Sequence, residues 1–538
     1  MKIRSLLCIS ILLLVNRPLV AQTRVQEGNA SGILHLGNGD EPESLDPHLT
    51  TGVPEYNIIS GLMEGLLRED PKTLKPTPGV ATHWEVSEDG KTYVFHLRPD
   101  AKWSNGDPVT AEDFVFSFRR ILSPKLAAEY AYMLHILKNA KAYNEGRLDD
   151  PSAIGVRAAD AHTLVIELEN PAPYFLGMLN HHSYYPVHAA TLRKHGDPEN
   201  RDNPWARPGN YVGNGPFTLA EWQINQHIHI AKSDTYWNKD KVRLNAIFFY
   251  PIQDEQTEER MFRAGLLHKT ENVPLTRIDR YRREDKALFR SHSYLTTYYY
   301  LFNTSRKPFD DARVRRALSL ALQREVITER VLKAGQLPAL WFTPPGTAGF
   351  EPSQKLTEDL AEARRLLAEA GYPGGKGFPK FSILYNTRES HRSIAQVIQQ
   401  MWKQNLGIEC ELVNQEWQVY MVSRREKNFD VARAGWSGDY ADPHNFLDLH
   451  LSGGGNNHSG WGDPAYDELI AKATAERDNA KRFALYDEAE AILLRDMPVL
   501  PIYWYTRNYL IAPSVKGWDT NILDRHDYSE VWLDPNAK

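Results

Sequence analysis

Residues able to do chemistry are most concentrated in Phe429–Tyr440, FDVARAGWSGDY. Val431 and Ala432 suit a buried strand, and Gly435 lets another backbone approach with no Cβ in the way. Arg433 puts a cation on that strand, Trp436 adds a flat apolar wall, and Asp439 places a carboxylate just beyond it. A strand edge, an aromatic wall and an anion suit a ligand with an extended backbone and a positively charged end. The competing reading is a buried strand running into a turn, with Asp439 bonded to its own loop.

Catalytic motifs are weaker. Gly435-Trp436-Ser437-Gly438 approaches a nucleophile elbow, but Asp439 stands at its closing glycine. Gly90-Lys91-Thr92 is no phosphate loop, because Glu85 occupies the place of the first glycine, and Gly371–Gly377 more simply ends a helix. No H-E-x-x-H occurs. His444, His450 and His458 lie in irregular sequence without metal spacing, and His227-x-His229 reads as a strand pair. The residues point to no catalytic constellation, no metal and no cofactor.

The elements that must position Phe429–Tyr440 belong to a long chain. At 538 residues it exceeds one ordinary core and implies two or three domains. No apolar run of about 20 residues exists to span a bilayer. Lys2 and Arg4, the apolar run Leu6–Val15 and the small-residue site Leu19-Val20-Ala21 read as a signal peptide over residues 1–21. Cys8 sits inside that run, too early for lipid attachment, so a free periplasmic protein is expected. The segment carries Lys2, Arg4 and Arg17 and no acid, so its removal takes the net charge from −6 to −9. That acidic balance argues against nucleic acid and against a membrane-binding patch. It also leaves Cys410 as the single cysteine, which excludes an intrachain disulfide.

Periodicity sketches the rest. Ile33–Leu36 reads as a strand, Glu41–Asn57 as an irregular proline-rich loop, and Ile58–Leu67 as a helix. Thr92–Leu97 alternates as a half-buried strand, and Thr110 caps a helix from Ala111 with Asp113 completing a box-like arrangement. Leu356–Ala370 is a helix stopped by Gly371 and Pro373. Ile394, Val397, Ile398, Met401 and Trp402 form a helical stripe ended by Gly407, before a strand at Ile408–Val413. Asp442-Pro443 reads as an N-cap and first helical residue, Pro464 to about Arg495 as a broken helix, and Pro498–Ile511 as a returning strand.

Several stretches, in order, carry a family resemblance. DPHLTTGVPE (Asp46–Glu55), LRPDAKWSNGDPVTAEDFVFS (Leu97–Ser117), NGPFTLAEW (Asn214–Trp222) and TTYYYLFN (Thr296–Asn303) resemble the solute-binding proteins of oligopeptide ABC importers. FDDARVRRALSLALQRE (Phe309–Glu325), LYNTRESHRSIA (Leu384–Ala395), NQEWQVY (Asn414–Tyr420) and ARAGWSGDY extend the likeness over nearly the whole mature chain. The resemblance implies an α/β, two-lobed periplasmic binding protein of the hinge-closing type II, with an additional α/β subdomain. The expected division is residues 22–65, 189–295 and 507–538 as lobe I, 66–188 as the subdomain and 296–506 as lobe II.

It further implies a monomer that binds short peptides between its lobes, without chemistry, and delivers them to an inner-membrane ABC permease. By the same resemblance Asp439 holds the ligand ammonium, while Arg433, Arg424 and His391 receive carboxylates of ligands of differing length. Gly435, Ser437 and the loop Thr51, Gly52, Val53 pair with ligand backbone, Trp417 and Trp436 line side-chain pockets, and Tyr130 stands near the ligand. Murein peptides or oligosaccharides are alternatives within the family, and a periplasmic hydrolase is the alternative outside it. The chain departs from its relatives at Leu301 and Leu332, where they carry charges, and at Thr296 and Ser437, where some carry paired cysteines.

Overall fold

The computed structural model describes residues 22–537, so the segment read as a signal peptide lies outside it. The chain forms two lobes, each built on its own sheet. One sheet has the strand order Ile33–Gly37, Ala246–Tyr250, His227–Lys232, Phe217–Gln223, with the first pair parallel and the others antiparallel. The second, six-stranded, runs Leu337–Pro338, Val499–Leu510, Phe289–Phe302, Val431–Ser437, Ser382–Asn386, Glu411–Gln415. A third sheet, the antiparallel Ala81–Val86, Thr92–Leu97, Thr163–Glu167, Val156–Asp160, packs its inner face on a separate apolar core between Leu66 and Tyr184. Among the described residues no helix is long and apolar enough to cross a membrane.

Two long strands join the lobes. Phe289–Phe302 and Val499–Leu510 run antiparallel, with a register shift between Ser293 and Thr297 opposite Trp504–Thr506. On one side of that shift the pair adjoins the first sheet, through a bridge from Lys269 to both Leu36 and Ile511. On the other side Thr296–Phe302 pairs with Val431–Ser437. A bulge in a two-strand connection is where the twist of a ribbon changes.

Local expectations hold where periodicity is strong. The helix Glu389–Leu406 buries Ile394, Ile398, Met401 and Trp402, and Gly407 ends it in the left-handed region at φ 72°. The helix of residues 464–495 breaks as read, into Pro464–Ala475 and Asn479–Asp496. The Asp113 carboxylate accepts the Thr110 N–H at 2.8 Å.

Boundaries differ in four places. The helix expected at Ile58–Leu67 spans Val53–Leu62 instead, beginning inside the stretch read as loop. Pro54 fits the first turn, where its missing N–H costs nothing, and Glu55 faces the positive end of the helix dipole. The helix ends where Met63 turns extended (φ −135°, ψ 156°), and just beyond it Gly65 packs so closely that the Leu179 carbonyl lies 2.9 Å from where a Cβ would stand. The helix read as Leu356–Ala370 starts only at Leu360, where the Asp359 side chain caps it. The strand read at Ile408–Val413 starts at Glu411. Asp442 accepts the His444 N–H at 3.0 Å like a cap, but the helix begins at His444, and both Asp442 oxygens also take Arg482 at 2.7 Å.

The DPH loop is anchored by charge. Asp46 is buried, accepting from Arg120 at 2.6 and 3.1 Å, from the Trp205 indole at 3.0 Å and from the His48 N–H at 2.9 Å. Burial alone would raise its pKa, but Arg120 outweighs that and holds the carboxyl down at about 2. A depressed carboxylate pKa stabilises the fold above the unfolded-state value and loses that contribution as pH falls through the folded one. The Asp46 contribution should therefore disappear between about pH 4 and pH 2. Asp46→Asn strands Arg120 without a counter-charge and should cost about 3–5 kcal/mol in urea denaturation at pH 7. A cost under about 1 kcal/mol would mean that the pair does not anchor the loop.

Candidate functional site

The strand Val431–Ser437 has a neighbour along its whole length on one side, Thr296–Phe302. On the other side only Val431 and Ala432 pair, with Ile383 and Leu384. Residues 433–437 thus offer an edge without a partner strand among the described residues. The Arg433 carbonyl on this stretch accepts from the Tyr420 hydroxyl. An edge of this kind can add an extended chain by main-chain hydrogen bonding.

Asp439, two residues past the strand, is buried and is met by groups from several parts of the chain. Its N–H donates to Asn445 Oδ1 at 2.9 Å, and the Trp436 indole donates to the same oxygen at 3.1 Å. One residue of a short helix therefore fixes both the aromatic wall and the acid. From the subdomain, the Tyr130 hydroxyl donates to Asp439 Oδ1 at 3.1 Å, and His181 Nε2 lies 3.5 Å away. Near the C-terminus, Arg525 donates to the Asp439 carbonyl at 2.5 Å while its charge is matched by Glu69 at 3.0 Å.

None of these neighbours gives the Asp439 carboxylate a firm cation. Burial, with His182 and Arg525 nearby, holds His181 well below the usual imidazole pKa, so it is neutral at pH 7. Burial accordingly raises Asp439 to about 6, against the opposing hydrogen bonds of Asn445 and Tyr130 and the more distant charge of Arg525. Asp448 is raised to about 8 by burial and by the charge of Asp439, so of the two acids only Asp439 is ionised at neutral pH.

Arg433 has the opposite deficit. It is buried, donates to the Tyr505 hydroxyl at 2.7 Å and to Asn386 Oδ1 at 3.4 Å, and lies 4.9 Å from the centre of the Tyr298 ring. Among the described residues no carboxylate is within ion-pair distance of it, and its Nε has no hydrogen-bond partner. Gly435 makes room for this guanidinium: a Cβ there would sit 3.1 Å from an Arg433 Nη atom. His391, in the first turn of Glu389–Leu406, is buried 5.5 Å from the Tyr298 ring, and burial together with Arg433 and Arg388 keeps it neutral.

The remaining expected residues are less tightly gathered. Arg424 lies 5.9 Å over the Tyr420 ring, and its Nε has no hydrogen-bond partner among the described residues. Trp417 opens the helix Trp417–Arg425, and its side chain lies outside the described atoms. Thr51 and Val53 are exposed and Gly52 caps the helix Val53–Leu62. The preceding Thr50 carbonyl accepts from His182, whose ring neighbours Tyr130 at 5.6 Å, so this loop borders the Asp439 cluster. Ser437 accepts from Thr296 at 2.9 Å, a hydrogen-bonded cross-strand pair. Leu301 and Leu332 are both buried in apolar clusters.

His181, Asn445, Arg525 and Tyr505 complete the site without a motif in the sequence to mark them, whereas Tyr298, Tyr420 and Asn386 lie inside stretches that carry the resemblance but are not singled out there. Paired histidines at His181-His182 were the one available signal.

Two lobes on separate sheets, joined by paired strands and enclosing buried charges, define a two-lobed solute-binding protein. The chain belongs to the bacterial extracellular solute-binding proteins of family 5, whose middle-region model matches residues 75–458. It is 40% identical over 500 residues to the Escherichia coli periplasmic murein peptide-binding protein MppA, covering 91% of each chain. To the E. coli periplasmic oligopeptide-binding protein OppA it is 40% identical over 490 residues, covering 89% of this chain and 88% of that one. A solved structure of MppA superposes with a TM-score of 0.87 at 38% identity, covering 93% of this chain and 98% of that one. The unliganded open form of MppA, at 39% identity and covering 94% of this chain and 97% of that one, gives only 0.72. The Haemophilus influenzae OppA complex with the peptide RPPGFSPFR gives 0.85 at 38% identity, covering 94% and 99%. The drop to 0.72 at unchanged identity reflects lobe arrangement, so this chain has the more closed one.

An acid whose folded-state pKa lies above its unfolded value destabilises the fold once ionised. Stability therefore falls as pH rises from about 4 to about 6. Asp439→Asn removes that penalty and keeps the shape. The ligand-free variant should be more stable than wild type at pH 7.5, by on the order of 2 kcal/mol, with the gain vanishing below about pH 4. Urea denaturation at the two pH values reads this directly, and a destabilised variant at pH 7.5 would assign Asp439 a structural role.

Proposed function

We propose that this chain is a periplasmic binding protein that encloses short peptides between its lobes and passes them, unaltered, to an ABC import permease. The observation that carries the reading is the pair of buried, uncompensated charges at one strand, Arg433 cationic on it and Asp439 anionic two residues past its end. A free peptide has an ammonium at one end, a carboxylate at the other and an extended backbone between. Asp439 receives the ammonium, the edge at Gly435 and Ser437 with the Thr51–Val53 loop pairs with backbone, and Arg433, Arg424 and His391 take carboxylates. Tyr130 holds Asp439 from the subdomain side, and Trp436 and Trp417 wall side-chain pockets.

Lobe I comprises residues 22–65, 189–295 and 507–538, the subdomain 66–188, and lobe II 296–506. The register shift between Ser293 and Thr297 supports the hinge position that this division implies. The protein acts as a monomer after removal of residues 1–21. A hydrolase reading finds little support, because the Ser437 hydroxyl is bonded to Thr296 and no histidine is hydrogen-bonded to it among the described residues. The equal identity to a murein peptide-binding and an oligopeptide-binding relative favours a second reading, in which the peptide is a murein fragment.

Calorimetry with wild type and Asp439→Asn, each against a free tetrapeptide and its N-acetyl form, makes a double-mutant cycle. Loss of the acid should weaken the free peptide by about 2–5 kcal/mol, and the acetylated peptide much less. Zero coupling would mean that the terminus is held elsewhere. Adding a murein tripeptide to the panel separates the two readings by which ligand binds more tightly.

A further inference from the structure

The outer face of the subdomain sheet carries a cluster that peptide binding does not use. Ala81–Val86 pairs with Thr92–Leu97 so that His83 stands opposite His96, while Trp84 stands opposite the fully buried Phe95. Alternation therefore puts His83, Glu85 and His96 together on the solvent face. The two imidazoles stack with centroids 4.3 Å apart and 11° between planes. Glu85, diagonal to His96, brings Oε1 to 3.3 Å from His96 Nε2. One donor atom from each of the three residues lies within 4.8 Å of the other two.

The neighbouring Thr82 fixes the chemistry of one ring. Its hydroxyl lies 3.0 Å from the His96 carbonyl, which can only accept, so the single Thr82 proton goes there. The same oxygen is 2.9 Å from His83 Nδ1 and must accept from it. In the neutral ring this fixes the tautomer with Nδ1 protonated, so that Nε2 is the nitrogen left to donate to a metal. A hydrogen bond on the second ring nitrogen is how ligating histidines are oriented.

We propose that His83, Glu85 and His96 bind a divalent ion of the zinc type, leaving one coordination position open to solvent. Two imidazoles and a carboxylate are a zinc donor set, whereas calcium and magnesium call for oxygen ligands. An ion lies in the plane of each imidazole it binds, so the stacked rings must turn apart. That motion is about a soft terminal torsion, at an exposed position for His83 and a partly exposed one for His96. The site lies on the subdomain, apart from Asp439 and Arg433, and stands or falls independently of the peptide reading.

The test is calorimetric titration of zinc chloride into the full chain, stripped of metal and carrying no histidine tag. One equivalent should bind with a Kd near about 1 μM. His83→Ala and His96→Ala should each weaken binding about tenfold or more, and Thr82→Val about tenfold with all three donors kept. Cobalt substitution should give a visible spectrum that His83→Ala abolishes. These residues are on the surface, and unchanged thermal midpoints confirm that the variants fold. Undiminished binding by the His83→Ala/His96→Ala double variant would place the ion on other histidines and overturn the proposal. A wild-type Kd weaker than about 1 mM would mean an adventitious ion only and overturn it equally.

Discussion

Everything about this site depends on a carboxylate buried without a counter-charge. A carboxylate moved out of water loses several kcal/mol of solvation, and the usual remedy is a salt bridge. The protein uses that remedy freely elsewhere, matching Asp46 with Arg120, Asp442 with Arg482 and Glu69 with Arg525. Asp439 instead receives a phenol, an amide and a histidine that burial keeps neutral. Such neighbours orient the acid without neutralising it, and it stays nearly half protonated around pH 6. Arg433 mirrors this with a phenol, an amide and an aromatic face. Neither arrangement is a good way to stabilise a fold, and each is a good way to await an opposite charge.

The architecture explains how these deficits can persist. Asp439 and Arg433 belong to one lobe, but Tyr130 and His181 come from the subdomain and Arg525 from the segment near the C-terminus. Contacts such as Tyr174 stacked on Tyr440 at 5.5 Å draw the same parts together. Separation of these parts would return the carboxylate to water and relieve it. Enclosure strengthens each electrostatic contact by excluding solvent, so closure is unfavourable for the bare acid and favourable once a cation meets it. If Asp439 receives a ligand cation, as proposed, the same residue would couple ligand charge to lobe position through solvation.

How much of this was legible in the sequence follows from range. Val431–Ser437 as a strand, the stripe at Ile394–Trp402 and the Gly407 stop are set by neighbours a few residues apart, and they read correctly. The start of Val53–Leu62 did not, because Pro42, Pro47 and Pro54 in one stretch suggested loop throughout, although Pro54 is compatible with a first helical turn. Asp439 was legible as an acid beside a strand. Its lack of a cation was not, because that depends on His181 and Arg525, distant in sequence, and on burial that makes a histidine neutral. Gly435 was read as room for a ligand backbone, yet its nearest neighbour is the Arg433 guanidinium two residues before it.

The departures from the relatives fall into the same physical scheme. Thr296 and Ser437, at positions where the resemblance implies paired cysteines in some relatives, share a hydrogen bond across the strands, so the edge next to Asp439 is held without a redox-sensitive link. Leu301 and Leu332, at positions where the resemblance implies charges, are each buried in an apolar cluster. A charged residue at either place would need a partner within its own cluster, and leucine needs none. These changes alter what surrounds the site while leaving Asp439, Arg433 and the open edge in register. Under the proposed reading, ligand polarity would be set by Arg433 on the strand and Asp439 just past it.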